Sequence, residues 1–265
     1  MNIYLFKSFS PSDENKYIDI INKCCDLFDN NNYPIIVINE MNQGGENINL
    51  IQYIIGIISP FVSITLYGRI RMEDPLITNQ KFINYIKNFN TINTCQPCNV
   101  TYLFDSQDSI IKEVSNFFSL VNKSIIRKIE EVRSNMKNKR NPNEIIIYTD
   151  GYTFSTSSLF IKYIQYSGGG IIVGYLGNLK KRHLLYDVGA SPTPYFIEEK
   201  LKIFSSKSYL SLKDYYKIEF NSISGIQTFF ELNETGYPLE YNVTLVDEIV
   251  DIYDYINKDN YYDFI

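Results

Sequence analysis

The stretch from Glu144 to Gly174, EIIIYTDGYTFSTSSLFIKYIQYSGGGIIVG, constrains the fold more than any other part of the chain. Glu144–Tyr148 carries three consecutive isoleucines, the continuous apolar run of a strand buried on both faces. Thr149-Asp150-Gly151 breaks it. From Leu159 the pattern turns helical, with Phe160, Tyr163 and Ile164 on one face, until Gly168-Gly169-Gly170 stops it. Ile171-Ile172-Val173 then reads as a returning strand. Strand, helix and strand in this order form a βαβ unit. Its turn places Thr153, Ser155, Thr156, Ser157 and Ser158 beyond the carboxyl end of a buried strand, where open α/β sheets hold their ligands.

Hydroxyls in that position have two uses. As N-caps they satisfy free N–H groups and stabilise the helix by roughly 1 kcal/mol. As a nucleophile, a serine at a strand-to-helix junction stands exposed, with backbone N–H groups behind it that stabilise an oxyanion. A second unit repeats the theme: Pro34–Ile38 (PIIVI) is a buried strand, and Asn42-Gln43-Gly44-Gly45 lies between it and a helix over Asn49–Ile58. That turn is either an ordinary βα loop or a place where glycines let the backbone approach a substrate carbonyl.

Taken together, the two stretches resemble the catalytic core of the tail-specific, or C-terminal processing, serine peptidases. In that family an apolar strand and short turn lead into a Ser/Thr/Ala-rich run, a helix and an apolar strand ending in glycine. With Gly174 as that glycine and Phe160 as the helix aromatic, the resemblance implies Ser155 as nucleophile and the Thr156 N–H as part of the oxyanion hole. Ser158 stands where the family has an acidic residue. The family's Asn-x-Gly-Gly turn matches Asn42–Gly45, which implies that Gly44 and Gly45 complete the oxyanion hole, while Ile38, Asn39 and Glu40 occupy the region of its Asp-x-Arg segment. The resemblance covers roughly residues 2–177 and implies an α/β fold of crotonase/Clp-protease type, built from stacked ββα units.

A serine needs a base to remove its proton. Family members use a lysine after the returning strand or an upstream histidine. The chain's one histidine, His183, is downstream. Continuing the ungapped match places the family's lysine on Lys180, which implies a Ser155–Lys180 dyad. Such a lysine must lose about three units from its usual value near 10.4 to act as a base at neutral pH. Lys181 and Arg182 supply like charge, although a Lys-Lys-Arg run also reads as a solvated loop. The implied function is a serine-type peptidase acting on exposed or C-terminal segments of peptides or unfolded proteins. An inactive relative serving as a binding or scaffold protein is the alternative.

Composition excludes other classes. The 265 residues carry a net charge of −5 with both signs interspersed, and the short basic runs Lys137–Arg140 and Lys180–Arg182 do not make a nucleic-acid-binding face. No apolar run reaches the roughly 18 residues of a membrane span, and the N-terminus lacks a signal-peptide pattern. The compartment is not fixed by the sequence, and an upstream segment completing the cleft is expected. Cys95 and Cys98 form a single CxxC, Cys24 and Cys25 are adjacent, and a zinc site would need further ligands. No metal or cofactor is implied.

A single core domain over 1–265 is expected, with 178–265 as an extension of it. The remaining expectations are a strand over Asn2–Phe9, helices over Asp13–Phe28, Gln80–Asn88 and Ser109–Lys137, and a strand over Phe61–Tyr67. Further strands are expected at Ile218–Phe220, Gln227–Glu231 and Asn242–Val246, then a helix or long turn over Val246–Ile256.

Overall fold

The computed structural model describes residues 2–39, 47–64, 123–150, 153, 155–175 and 246–250 in full. Of 67–72, 100–104, 110–115, 118–119, 196–197, 222–223 and 227–230 it describes the backbone strands. The chain divides into two compact units: Met1–Ile64, Val121–Pro192 and Tyr241–Ile265 form the first, Thr65–Leu120 and Thr193–Glu240 the second.

The first unit alternates strand and helix. In chain order it contains β1 (Asn2–Phe6), α1 (Glu14–Phe28), β2 (Ile35–Asn39) and α2 (Ile48–Ile58) before the chain enters the second unit. There it forms β3 (Tyr67–Met72), β4 (Val100–Phe104), β5 (Ile110–Ser115) and β6 (Phe118–Ser119). Back in the first unit come α3 (Lys123–Asn135), a 3₁₀ turn (Pro142–Glu144), β7 (Ile145–Asp150), α4 (Ser155–Ser167) and β8 (Ile171–Tyr175). The chain ends its described course with β9 (Phe196–Ile197), β10 (Ser222–Ile223) and β11 (Gln227–Phe230) in the second unit and β12 (Glu248–Val250) in the first.

The sheet of the first unit has the order β1-β2-β7-β8-β12, every pair parallel. Pro34–Ile38, Glu144–Tyr148 and Ile171–Val173, the three strands read from the sequence, are indeed neighbours. Because spatial order equals chain order, right-handed crossovers put all connecting helices on one face of the sheet. The packing agrees, since α2 lies against α1, α3 and α4. Under these helices the inward residues Tyr4, Phe6, Val37, Ile145, Ile147 and Ile172 are buried. The opposite face is apolar but only partly covered: Ile3 and Ile146 are half-buried and Leu5 is 45% exposed.

Local chemistry sets the helix ends. Asp13 caps α1 by accepting from the Lys16 N–H, and Asn47 caps α2 by accepting from the Leu50 N–H. The end of α2 is held by Arg133, whose guanidinium donates to the carbonyls of Gly56, Ser59 and Val62. α4 ends in a Schellman motif: Gly168 has φ +62°, and the Gly168 and Gly169 N–H groups donate to the carbonyls of Gln165 and Ile164. Arg140, buried, donates to the carbonyls of Phe28, Asn31, Tyr33 and Asn138 and so gathers the loop after α1.

The second unit is antiparallel, with a sheet ordered β11-β3-β5-β4, β6 also pairing with β3, and a separate β9–β10 pair. Here the sequence reading needs correction. The long helix expected over Ser109–Lys137 is two strands followed by a shorter helix, α3. Ile110, Val114 and Phe118 are four apart, a spacing common to one helix face and one strand face, and the β-branched Ile110, Ile111 and Val114 favour the strand. Of the strand expected over Phe61–Tyr67, the described residues 61–64 are not strand, because Val62 folds back on α2 through its N–H to Ser59 O, and Tyr67 opens β3. Over Val246–Ile256 the described part is the strand β12. Asp247 anchors it, accepting from the Ile172 N–H at 2.7 Å while its own N–H donates to Ile172 O at 2.8 Å. The expected elements at 80–88, 218–220 and 242–245 lie outside the described residues.

Two outcomes test this packing. A Cβ at Gly56 would stand 2.7 Å from Ile129 Cδ1 and Cγ2 and 2.9 Å from its Cγ1, so Gly56→Ala forces α2 and α3 apart. It should cost about 1–3 kcal/mol in denaturant unfolding, with Ile129→Val recovering part of the loss. Burial pushes the Cys25 thiol up to about 12 from an ordinary 9.0, with Asp26 and Asp29 adding and Arg140 opposing. The thiolate is the reactive form. Iodoacetamide at pH 8 should therefore leave Cys25 unmodified until the chain unfolds. Because the folded value is the higher, this thiol's contribution to stability is complete below pH 9 and is lost as pH rises toward 12.

Candidate functional site

β2 and β7 run side by side with Ile38 opposite Tyr148, and β7 and β8 with Thr149 opposite Gly174. Their carboxyl ends therefore lie level, at one edge of the sheet. At that edge the core changes character. Elsewhere it is mainly aliphatic and aromatic, with Asn2, Gln52, Ser59, Arg140 and Lys162 as scattered exceptions, but here Asn39, Thr149, Asp150, Thr153, Thr156, Ser157 and Ser158 are all buried. Buried polar groups cost stability unless hydrogen-bonded, so their concentration in one place asks for a reason beyond packing.

The turn after β7 leads straight into α4. Ser155, its first residue, has φ +53°, and it is the one non-glycine residue with positive φ among the described residues. A side-chain-bearing residue held in that region stores strain of order 1–3 kcal/mol and persists only where its surroundings fix it. Ser155 is also the least buried of the described hydroxyls in the turn: it is half-buried, while Thr153, Thr156, Ser157 and Ser158 are buried.

The buried hydroxyls face inward. The Ser157 hydroxyl donates to Asn39 Oδ1 at 2.9 Å, joining the last residue of β2 to the first turn of α4 across 118 positions. Thr153 Oγ1 donates to Asp150 O at 3.3 Å. Ser158 Oγ and Asn39 Nδ2 have no hydrogen-bond partner among the described residues. The first turn of α4 contains no acidic side chain, so its free N–H groups and the positive end of the helix dipole are not neutralised from within the turn. Chemically, the arrangement is a strained, accessible hydroxyl at a helix start that favours negative charge.

The sequence-derived site is thus described in part. Ser155 and Thr156 are the first two residues of α4, whereas Gly44, Gly45, Lys180 and His183 lie outside the described residues. Two residues were not picked out from the sequence. Asn39 is the polar residue that ends an apolar strand run, a signal that was legible. Lys162 is only 1% exposed on α4, and follows Phe160-Ile161 and precedes Tyr163-Ile164 in sequence. No cluster of His, Cys, Asp and Glu able to hold a metal ion occurs among the described residues, and no helix among them is long and apolar enough to cross a membrane.

No family model matches the sequence, and no curated protein matches it. Solved structures similar to the chain include a lipoprotein from Streptococcus agalactiae, at 12% identity and TM-score 0.45 over 94% of this chain and 61% of that one. Mature CPAF is similar at 12% identity and TM-score 0.47, over 99% of this chain and 49% of that one. Mature CPAF complexed with lactacystin is similar at 12% identity and TM-score 0.42, over 93% and 46%. The chain thus spans about half to three-fifths of the length of these structures. Likeness at this level fixes neither family nor activity.

The backbone at Ser155 gives a test independent of any activity. Ser155→Gly and Ser155→Ala both remove the hydroxyl, but only glycine adopts φ +53° without strain. Ser155→Gly should therefore unfold at higher denaturant than Ser155→Ala, by about 1 kcal/mol. Equal stabilities would show that the turn is not held in this conformation.

Proposed function

We propose that the chain is a serine-type peptidase core in which Ser155 is the nucleophile. The observation that carries this reading is the conjunction at Ser155 of positive φ, partial exposure and the start of a helix whose first turn bears no carboxylate. A nucleophile elbow has this form, because the sharp turn lifts the hydroxyl out of the sheet edge toward the substrate. The hydroxyls around it are buried, which leaves Ser155 as the one in this turn best placed to meet a peptide carbonyl. The sequential, all-parallel sheet supports an α/β core; that this core is of crotonase/Clp type, built from stacked ββα units, rests on the resemblance to tail-specific peptidases.

In the mechanism we infer, Ser155 Oγ attacks the scissile carbonyl as Lys180 Nζ takes its proton. The developing oxyanion is stabilised by the N–H of Thr156 and those of Gly44 and Gly45. The amine leaves with the proton from Lys180. Water, deprotonated in turn by Lys180, then releases the acyl group from Ser155. Substrates are exposed or C-terminal segments of peptides or unfolded proteins.

A fluorophosphonate probe tests the reading. The wild-type chain should be labelled, and Ser155→Ala should lose labelling and peptide cleavage while its stability stays within about 1 kcal/mol, since no large buried group is removed. Lys180→Ala should lower activity by on the order of a hundredfold to ten-thousandfold. Labelling that survives Ser155→Ala and disappears in Ser157→Ala would move the nucleophile by two residues. A folded wild-type chain that takes no label would favour a binding or scaffold role.

A further inference from the structure

Asn39 stands at the carboxyl end of β2, fully buried, and accepts a hydrogen bond from the equally buried Ser157 hydroxyl at 2.9 Å. Nothing in the proposed chemistry uses either side chain. Their bond is nevertheless the described side-chain link between the strand that leads toward Gly44 and Gly45 and the helix turn that carries Ser155. Ser155 itself occupies a strained conformation, and a strained residue needs surroundings that fix it from more than one side. We propose that Asn39 is a positioning residue for the Ser155 turn, acting through Ser157. The proposal rests on the peptidase reading of Ser155.

Two observations separate this role from ordinary packing. First, Asn39 Nδ2 has no hydrogen-bond partner among the described residues although the residue is 0% exposed. A buried amide with an unmade bond is less favourable than an apolar side chain of similar volume, so stability alone selects against asparagine here. Its neighbours on the strand, Ile35, Ile36, Val37 and Ile38, are what stability does select. Secondly, the polar side chain meets the first turn of α4, and the residue it bonds there is two positions from Ser155. A group kept at a cost in stability, at the point where it orients a nucleophile, fits the trade of stability for activity seen at functional sites.

The experiment is fluorophosphonate labelling resolved into a maximal rate and a half-saturating concentration, for wild type, Asn39→Leu, Ser157→Ala and the double variant, each with its thermal midpoint. Asn39→Leu keeps the side-chain volume and removes the acceptor. The maximal labelling rate should fall on the order of tenfold to a hundredfold in each single variant, with little change in the half-saturating concentration. Each single variant leaves one buried group of the pair without its partner and should lose some thermal midpoint, whereas the double variant, which removes both, should recover toward the wild-type midpoint. The double variant should label no more slowly than the slower single variant, because the two share one interaction. Wild-type labelling rates in the single variants, or effects that multiply in the double variant, would overturn the proposal, as would a rate loss matched in every variant by a fallen midpoint. Hydrogen exchange at the Leu159 and Phe160 amides, which bond back into the first turn of α4, supplies the second measurement. It should quicken in both single variants by more than their loss of global stability accounts for, and protection that falls only with global stability would also overturn the proposal. A wild-type chain that takes no label sinks the peptidase reading, while the exchange measurement still decides whether Asn39 holds the turn.

Discussion

Parallel strands point their carboxyl ends the same way, and the placement of β7 between β2 and β8 makes three of those ends coincide. The candidate site depends on that pairing. With Ile38 opposite Tyr148, the last residue of β2 and the turn after β7 come to the same edge, and residues 118 positions apart can share a hydrogen bond. A slip of one residue would turn Ile145, Ile147 and Thr149 from the helix-covered face to the half-exposed one. Ile145, Ile146 and Ile147 are identical, so they do not by themselves specify which register is right. The polar ends do: Thr149 and Asn39 are buried on the helix side, and a slipped β7 would remove Thr149 from that polar patch and break the level with Asn39.

The sequential strand order has a second consequence. Every crossover returns on the same face, so α2 becomes the central helix and must accept neighbours on several sides. Its composition reflects this: Leu50 to Ile58 are all buried, and Gly56 lets α3 approach to the point where no side chain would fit. Arg133 then reaches from α3 to the open end of α2, so the contact that glycine permits also satisfies α2's terminal carbonyls.

Much of the first unit was legible in the sequence because its signals are local. Continuous isoleucine runs gave the central strands, Asp13 marked the start of α1, and the glycine run marked the end of α4. Ser155 was legible only through resemblance and hydroxyl spacing; its positive φ has no single-residue signature, since serine is not the residue that such a conformation favours. The start of α4 was placed four residues late, because Ser155, Thr156, Ser157 and Ser158 are weak helix formers whose helix is imposed by burial rather than propensity. In the second unit the spacing of Ile110, Val114 and Phe118 satisfied two periods at once, and pairing with β3 and β4 decided between them. β12 was misread for a related reason: three residues are too short for any period, and its strand character comes from the free edge of β8 and from Asp247.

The distribution of cost within the first unit is the last step. A sheet built from isoleucine and valine needs no polar side chain at its ends, and the half-exposed face shows how far apolar residues alone can carry it. Yet at one edge the chain buries an asparagine, an aspartate and five hydroxyl residues, leaves Ser158 Oγ without a partner among the described residues, and bends Ser155 into a conformation that glycine would adopt more easily. The unpaired Ser158 Oγ and the positive φ of Ser155 oppose stability, and both fall in one helix turn. Local rules of folding are broken together where a site is being shaped, and compensated elsewhere by the dense packing around α2 and α4. For Ser155 the compensation is specific: its own helix is buried from Thr156 through Ile164, so the strain of one residue is held by the packing of the nine that follow.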